Sequence, residues 1–431
     1  MSPLWLVDTI IGISLVIAIG AYVAVSLREG SFANILTPPA LLTIPAFYLL
    51  PLVYVHIFQP DGSSYGYAYV YATLAVENVA FAYFFIRRSR SRLRLPFSFG
   101  YANFWAWSLA CVILSAVVYL PVILQFPQYI LDPRQIYVET RTGFGASSFT
   151  SCSLAYLGVI LVLFSGRSLT QKGLVIAAAA VVLALHGSKG QVLEILFFVL
   201  FYVVYVKRKR FTLWSALMGA AGVSLVIIVM FAASMVLGGS SLEAIQTMSE
   251  YSDFTRNDLL VIDSHFPVQY GRLTLESNTI TLIPRVLMPS KPKSFGVFVL
   301  AEEFFPARFD ADTGAPAFAI GVEYADFGWL AIVYLGVYAA IKGWLARVSV
   351  DRLAVTRHPA DLILVAFMAD VTLFPVGSSG WFLPETLLVV VLIRYISCLG
   401  ADKVCRERIR AKTPDASSHA LPSTEKPEEA C

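Results

Sequence analysis

Met1–Leu27 reads MSPLWLVDTIIGISLVIAIGAYVAVSL. Asp8 is its one charged side chain, and the first basic residue, Arg28, lies just past the end. A cleaved leader needs a basic start and a small-residue cleavage site, and neither is present. About 20 consecutive apolar residues cross the hydrocarbon core of a bilayer as a helix. The stretch is therefore expected to be a first spanning helix, retained in the protein.

The rest of the chain repeats that pattern. Its 431 residues are 57% hydrophobic and only 14% charged, against about 25% charged in soluble domains. That difference assigns it to the all-α polytopic membrane class. Eleven apolar segments are candidate spans, near 4–27, 35–58, 66–86, 101–126, 148–165, 172–186, 190–206, 213–237, 327–346, 360–377 and 381–399. The sixth and seventh are short and joined by HGSKGQ (His186–Gln191), which predicts a tight helical hairpin. The five cysteines form no CxxC pair and have no histidine at ligand spacing, so no metal, cofactor or disulfide is expected.

Charge fixes the expected orientation. RRSRSRLR (Arg87–Arg94) follows the third span and KRKR (Lys207–Arg210) the seventh. Lys342, Arg347, Arg352 and Arg357 follow the ninth, and KVCRERIRAK (Lys403–Lys412) the eleventh. With eleven spans, all of these share one side, and short basic loops mark the cytoplasm. The N-terminus is then periplasmic and the C-terminus cytoplasmic. Residues 1–237 hold spans one to eight with an outer loop at 127–147; 238–326 form a large periplasmic loop; 327–399 hold spans nine to eleven. The polar tail 400–431 lacks the apolar content to fold.

The large loop is not linker-like. Apolar and aromatic residues run through YSDFTRNDLLVIDSHFPVQY and VFVLAEEFFPARF, which predicts short amphipathic helices at the outer membrane surface. Within it, TLIPRVLMPSKPKSFG (Thr281–Gly296) is stiff and basic. Pro284, Pro289 and Pro292 brace Arg285, whose planar guanidinium suits bidentate phosphate binding. Lys291 and Lys293 add point charges nearby. In the other outer loop, Arg134 and Arg141 are interleaved with Tyr137, Gly143 and Gly145, and Lys189 sits at the outer turn of the hairpin. Together these form a candidate diphosphate clamp. The plainer reading of Lys189 is a turn residue, and of Arg256 and Arg308 solvated surface charge.

A hydroxyl that acts as a nucleophile needs a base within reach. Glu323, in GVEYADFGW where the loop returns to the membrane, is the first candidate; its alternative is a helix-N-terminal carboxylate favoured by the dipole. Asp310, Asp312, Asp326, Glu302 and Glu303 are further carboxylates of the segment. Tyr270 and Tyr324 are candidate aromatic binding platforms, with packing as the alternative. Glu77, Glu194, Asp370 and Glu385 are acids inside or at the ends of spans.

Three motifs resemble the Wzy-type polysaccharide polymerases. IPRVLMPSKP (Ile283–Pro292) is similar to that family's isoleucine–proline–arginine stretch, and Arg285 to Gly296 gives its arginine, ten residues, glycine spacing. HGSKGQVLEILFFVLFYV (His186–Val203) resembles the outer turn written glycine–serine–arginine, with Lys189 at the basic position. GVEYADFGWLAIVYLG (Gly321–Gly336) resembles the glutamate–tyrosine…phenylalanine–glycine return to the next span. The resemblance implies a metal-independent, GT-C-like glycosyltransferase of the bacterial inner membrane. Its substrates would be undecaprenyl-diphosphate-linked oligosaccharides. The growing glycan would pass from its lipid diphosphate to the non-reducing end of a new lipid-linked repeat at the periplasmic face. Membrane lipid and a chain-length regulator and flippase of the same pathway would be its partners, and nucleic acid would not.

The leaving lipid diphosphate gains negative charge as it departs, so fixed cations beside it lower the barrier. Arg285, Arg141, Arg134 and Lys189 fit that role. Two alternatives stand. An O-antigen ligase shares the spans and the basic outer loop, but only His265 is available there as a histidine. A lipid-linked oligosaccharide flippase would be expected to show repeated halves, which this chain lacks.

Overall fold

Leu4–Glu29 is one unbroken helix, α1. Val7, Ile11, Ser14, Ala18, Ala21 and Val25 recur every three or four residues and are buried. The opposite face is equally apolar yet open, with Val16 and Leu27 each 69% exposed. A helix apolar all round, with one face unpacked, is built for lipid.

In the computed structural model, the described residues are 4–52, 62–87, 103–130, 136, 144–187, 189–222, 225, 254–280, 283, 288–310, 318–371, 389–391, 393 and 394. Among them there is no strand. After α1 come α2 (Thr37–Ile44, extended by a π-helical turn, Pro45–Leu49), α3 (Ser64–Ile86) and α4 (Phe104–Gln125). Next are α5 (Gly145–Phe164), α6 (Leu169–Leu185), α7 (Lys189–Phe201, extended by a π-helical turn, Tyr202–Val206) and α8 (Leu213–Gly222). The large loop contributes α9 (Phe254–Asp263), α10 (Arg272–Thr279), α11 (Val297–Phe304), α12 (Pro306–Asp310) and α13 (Ile320–Phe327). A 3₁₀ turn, Gly328–Leu330, leads into α14 (Ala331–Thr356), and α15 (Pro359–Met368) follows. Five helical segments are long and apolar enough to cross a membrane, and five shorter apolar helices accompany them. The protein is an all-α, multi-pass membrane protein.

Described helices occupy ten of the eleven expected spans; the eleventh is described only at 389–391, 393 and 394. Two boundaries move. α14 runs ten residues past the expected end at 346, to Thr356. Its polar continuation is held by ion pairs: Arg347 bonds Asp351 one turn on and Glu29 of α1, at 2.7 Å. Lys342, Arg347 and Arg352 thus lie on the helix rather than after it, and Arg357 ends it in a left-handed C-cap. α15 stops at Met368 rather than 377, with Asp370 at a positive φ of 59° and bonded to Lys342.

Two helix groups share one core. In the first, α3 packs between α1 and α14 at backbone contact: a Cβ at Gly343 would lie 2.4 Å from the Phe81 carbonyl. In the second, a Cβ on Gly158 of α5 would reach 2.6 Å from Val112 of α4, and Ser108 donates to the Gly158 carbonyl at 2.8 Å. Small residues and buried hydroxyls are what hold helices together in lipid, where apolar burial between spans gives little. Phe85, Phe198, Phe201, Tyr205 and Ala346 form the joint between the groups. Helices α9, α10, α11 and α13 have a smaller core of their own: Val261, Leu273, Leu300, Ala301, Phe318, Val322 and Ala325.

Candidate functional site

The short helices expected in the large loop are present, and carboxylates bind them to one another. Each helix begins with N–H groups that lack partners and carries a partial positive charge there. In this loop acids from neighbouring helices fill those positions. Asp258 of α9 accepts from Ala319 N (3.0 Å), Ile320 N (3.3 Å) and Gly321 N (2.8 Å), at the start of α13. Asp326 at the other end of α13 accepts from Leu273 N (2.9 Å) and Thr274 N (2.6 Å) of α10. Glu276 of α10 accepts from Gly296 N (2.8 Å), and Ser277 from Val297 N (3.1 Å), at the start of α11. Asp263 of α9 accepts from Ser63 N (2.8 Å), capping the spanning helix α3. Four acids thereby fix the loop helices to each other and to the spans.

Two glycines let these contacts close. A Cβ on Gly321 would lie 2.9 Å from the Asp258 carboxylate. Gly296 has φ +55°, and its Cβ would lie 2.3 Å from Ser277 Oγ. Glycine alone fits there. Gly296 is the last residue of the arginine-to-glycine spacing noted in the sequence, so the basic segment is pinned at its far end to α10.

Glu323 lies in the first turn of α13 and is 3% exposed. That is the position its alternative reading as a dipole-favoured carboxylate gives it, while the N–H groups at this helix start are capped by Asp258. Burial pushes the Asp258 carboxyl up to about 8, outweighing the N–H donors, and the Glu323 charge raises it further. Glu77 of α3 is within electrostatic reach of Glu323 and Asp258 on one side and of Lys342 and Asp370 on the other. Tyr324 packs edge-on against Tyr69 at 4.9 Å, and Tyr69 accepts from Ile332 N at 3.1 Å, where the loop becomes α14. Tyr270 is 89% exposed at a φ of +54°. Its backbone neighbour Gln269 donates to Ala325 O at 2.8 Å, fixing this exposed ring beside α13.

Of the proposed cations, Lys293 is exposed, while Lys291 is committed within its own segment. The Lys291 ammonium donates to Ile283 O at 3.0 Å and lies 4.9 Å over the Phe295 ring. Arg285, Arg134 and Arg141 lie outside the described residues. Lys189 is the first residue of α7, after a turn at His186 and Gly187. That turn belongs to a different neighbourhood from Glu323. Ile136, two residues after Arg134, is fully buried against Tyr119 and Val122, with Phe144 and Leu185 packed alongside. The hairpin turn and Ile136 therefore share one anchor on α4 and α6.

Sequence reasoning did not single out Asp258, Asp263 or Glu276. Asp258 had a signal: it falls in the stripe Thr255, Asp258, Leu259, Ile262, on the face of α9 that is buried. An acid inside an apolar stripe needs a partner.

The fold and these caps define a polytopic all-α membrane protein with an acid-bound helical assembly on its large loop. The chain is 29% identical over 367 residues to the "O-antigen polymerase" of Salmonella typhimurium (strain LT2), spanning 85% of this chain and 89% of that protein. The "O-antigen polymerase" of Salmonella typhi matches to the same extent. The resemblance to Wzy-type polymerases seen in three motifs is thus borne out along most of the chain. No family model matches, and no solved structure does.

Proposed function

We propose that this protein is a glycosyltransferase of the membrane that polymerises O-antigen-type repeat units. The observation that carries the reading is the likeness, over 85% of the chain, to two O-antigen polymerases. The substrates are lipid-linked oligosaccharides, the lipid being undecaprenyl diphosphate. The acceptor's terminal hydroxyl attacks the anomeric carbon of the donor glycan, the glycosyl–phosphate bond breaks, and the lipid diphosphate leaves.

The roles follow from charge and position. Arg285, with Arg134, Arg141, Lys189, Lys291 and Lys293 as further cations, neutralises the departing diphosphate. Glu323, buried in the first turn of α13, takes the proton of the acceptor hydroxyl. Tyr324 and the exposed Tyr270 present ring faces to sugars. Residues 238–326 and 127–147 form the periplasmic face of an inner-membrane protein, and 400–431 a cytoplasmic tail. A flippase and a chain-length regulator act on the same glycan.

The test is glycan analysis of a strain lacking this chain, paired with the purified protein. Single repeats without polymer in the strain, and a ladder from lipid-linked repeats in vitro, are expected. Product appearing only when lipid A-core is supplied marks a ligase instead. Transport of lipid-linked oligosaccharide across vesicles without lengthening marks a flippase.

A further inference from the structure

At the outer end of α4, α5, α6 and α7 lies a polar cluster that the acid-bound loop does not use. Ser115 Oγ donates to Ser151 O at 2.7 Å, and Ser151 Oγ to Ser115 O at 2.9 Å. Each serine has one proton, so both are spent. His186 Nε2, 3.0 Å from Ser151 Oγ, must then be the donor of that bond. This fixes the tautomer and leaves Nδ1 as an acceptor. The imidazole is held flat against Tyr119, centroids 3.8 Å apart, while the Tyr119 hydroxyl donates to Leu185 O at 3.2 Å.

His186 is 3% exposed, and its Nδ1 has no hydrogen-bond partner. Gln191 Oε1 is also buried without a partner, and Glu194, one helical turn on along α7, has Oε2 buried and unpaired while its carboxyl lies within reach of Tyr156. Tyr156 on α5 donates to Gln191 O at 3.0 Å and fixes that end of α7. Unpaired buried polar atoms are rare and costly. Three within nine residues point to a ligand. Beside them Gly190 faces open space, where an added Cβ would meet nothing within 4 Å.

The chemistry selects the ligand class. Gln191 Oε1 and His186 Nδ1 can only accept, so phosphate oxygens give them nothing. Sugar hydroxyls donate to both and can pair with the Glu194 carboxyl in either protonation state. We propose that His186, Gln191 and Glu194 form a sugar-binding subsite that holds hydroxyls of a lipid-linked repeat, apart from the cations that hold its diphosphate. This rests on the polymerase reading for the identity of the sugar, not for its binding.

The experiment uses the full chain in nanodiscs with Glu194→Leu and Gln191→Leu, which keep approximate side-chain size and remove the hydrogen-bonding atoms. Two quantities are read: binding of the lipid-free repeat-unit oligosaccharide, by saturation-transfer NMR, and KM and kcat for lipid-linked repeats. Oligosaccharide binding is expected to fall at least tenfold and KM to rise by about the same factor, with kcat within about threefold and binding of undecaprenyl diphosphate alone unchanged. Wild-type binding and KM in both variants would show that ordered water fills the site and overturn the proposal. Equal loss of undecaprenyl diphosphate binding would overturn it too. If the wild type binds the oligosaccharide and the variants do not, yet no polymer forms, the subsite stands and the polymerase reading fails.

Discussion

Asp258 holds the first turn of the helix that carries Glu323. Its two oxygens take the N–H groups of Ala319, Ile320 and Gly321, so the orientation of Glu323 depends on a residue 65 positions earlier in the chain. The two acids are buried close enough for the Glu323 charge to disfavour ionisation of Asp258.

This gives a pH signature. An Asp258 pKa near 8 lies well above that of an exposed aspartate. Between the two values the folded protein holds a proton that the unfolded chain releases. The contribution is full below the unfolded pKa and is lost as pH rises toward 8. Thermal melting of the detergent-purified protein should fall from pH 5 to pH 9, and Asp258→Asn should flatten that slope. Asp258→Ala, which removes the cap, should cost about 1–3 kcal/mol at pH 5 and less as pH rises toward 9. Equal slopes for wild type and Asp258→Asn would contradict the assignment.

Glu323→Gln keeps the volume and removes the carboxylate. If Glu323 is the base, elongation should drop by about 10²–10⁴-fold while membrane levels stay normal. The acidic limb of the rate–pH profile should disappear as well. Turnover within a few-fold of wild type would move the role to Asp310, Asp312 or the substrate itself.

The class of fold was legible because apolar length is a strong signal: α1, α3, α4 and α5 lie within a few residues of their expected bounds. The end of α14 was not, because ion pairs with Glu29 and Asp351 extend a helix beyond its apolar stretch. At the site, Glu323 and Gly296 were visible as motif residues, but the reason for Gly296 needed the Ser277 backbone beside it. Asp258, Asp326 and Glu276 cap helices distant in sequence, and no local pattern shows which helix an acid will meet. His186 stood in a quoted motif, but its lone acceptor depends on two serines 35 and 71 residues away.

Gly343 tests the packing of the spans. Its missing side chain lets α14 touch the Phe81 backbone of α3, where even a methyl group has no room. Gly343→Leu should separate the helices and lower the melting temperature and membrane abundance. Gly20→Leu, at a position in α1 with nothing within 4 Å, should leave both within experimental error. Equal behaviour of the two variants would argue against this contact.

Arg285 sits between Ile283, whose carbonyl holds Lys291, and Gly296, which is fixed to Glu276. The described residues on either side are tied, and Pro284 and Pro289 restrict φ at two positions flanking Arg285 in the sequence. Arg285→Ala is expected to abolish elongation with normal membrane levels. Arg285→Lys keeps the charge but loses the planar fork, and should recover only a small part of the rate. Loosening the anchor with Glu276→Ala should raise KM for lipid-linked repeats several-fold. Full ladders from Arg285→Ala would remove this residue from the site, and full activity from Arg285→Lys would reduce its role to charge alone.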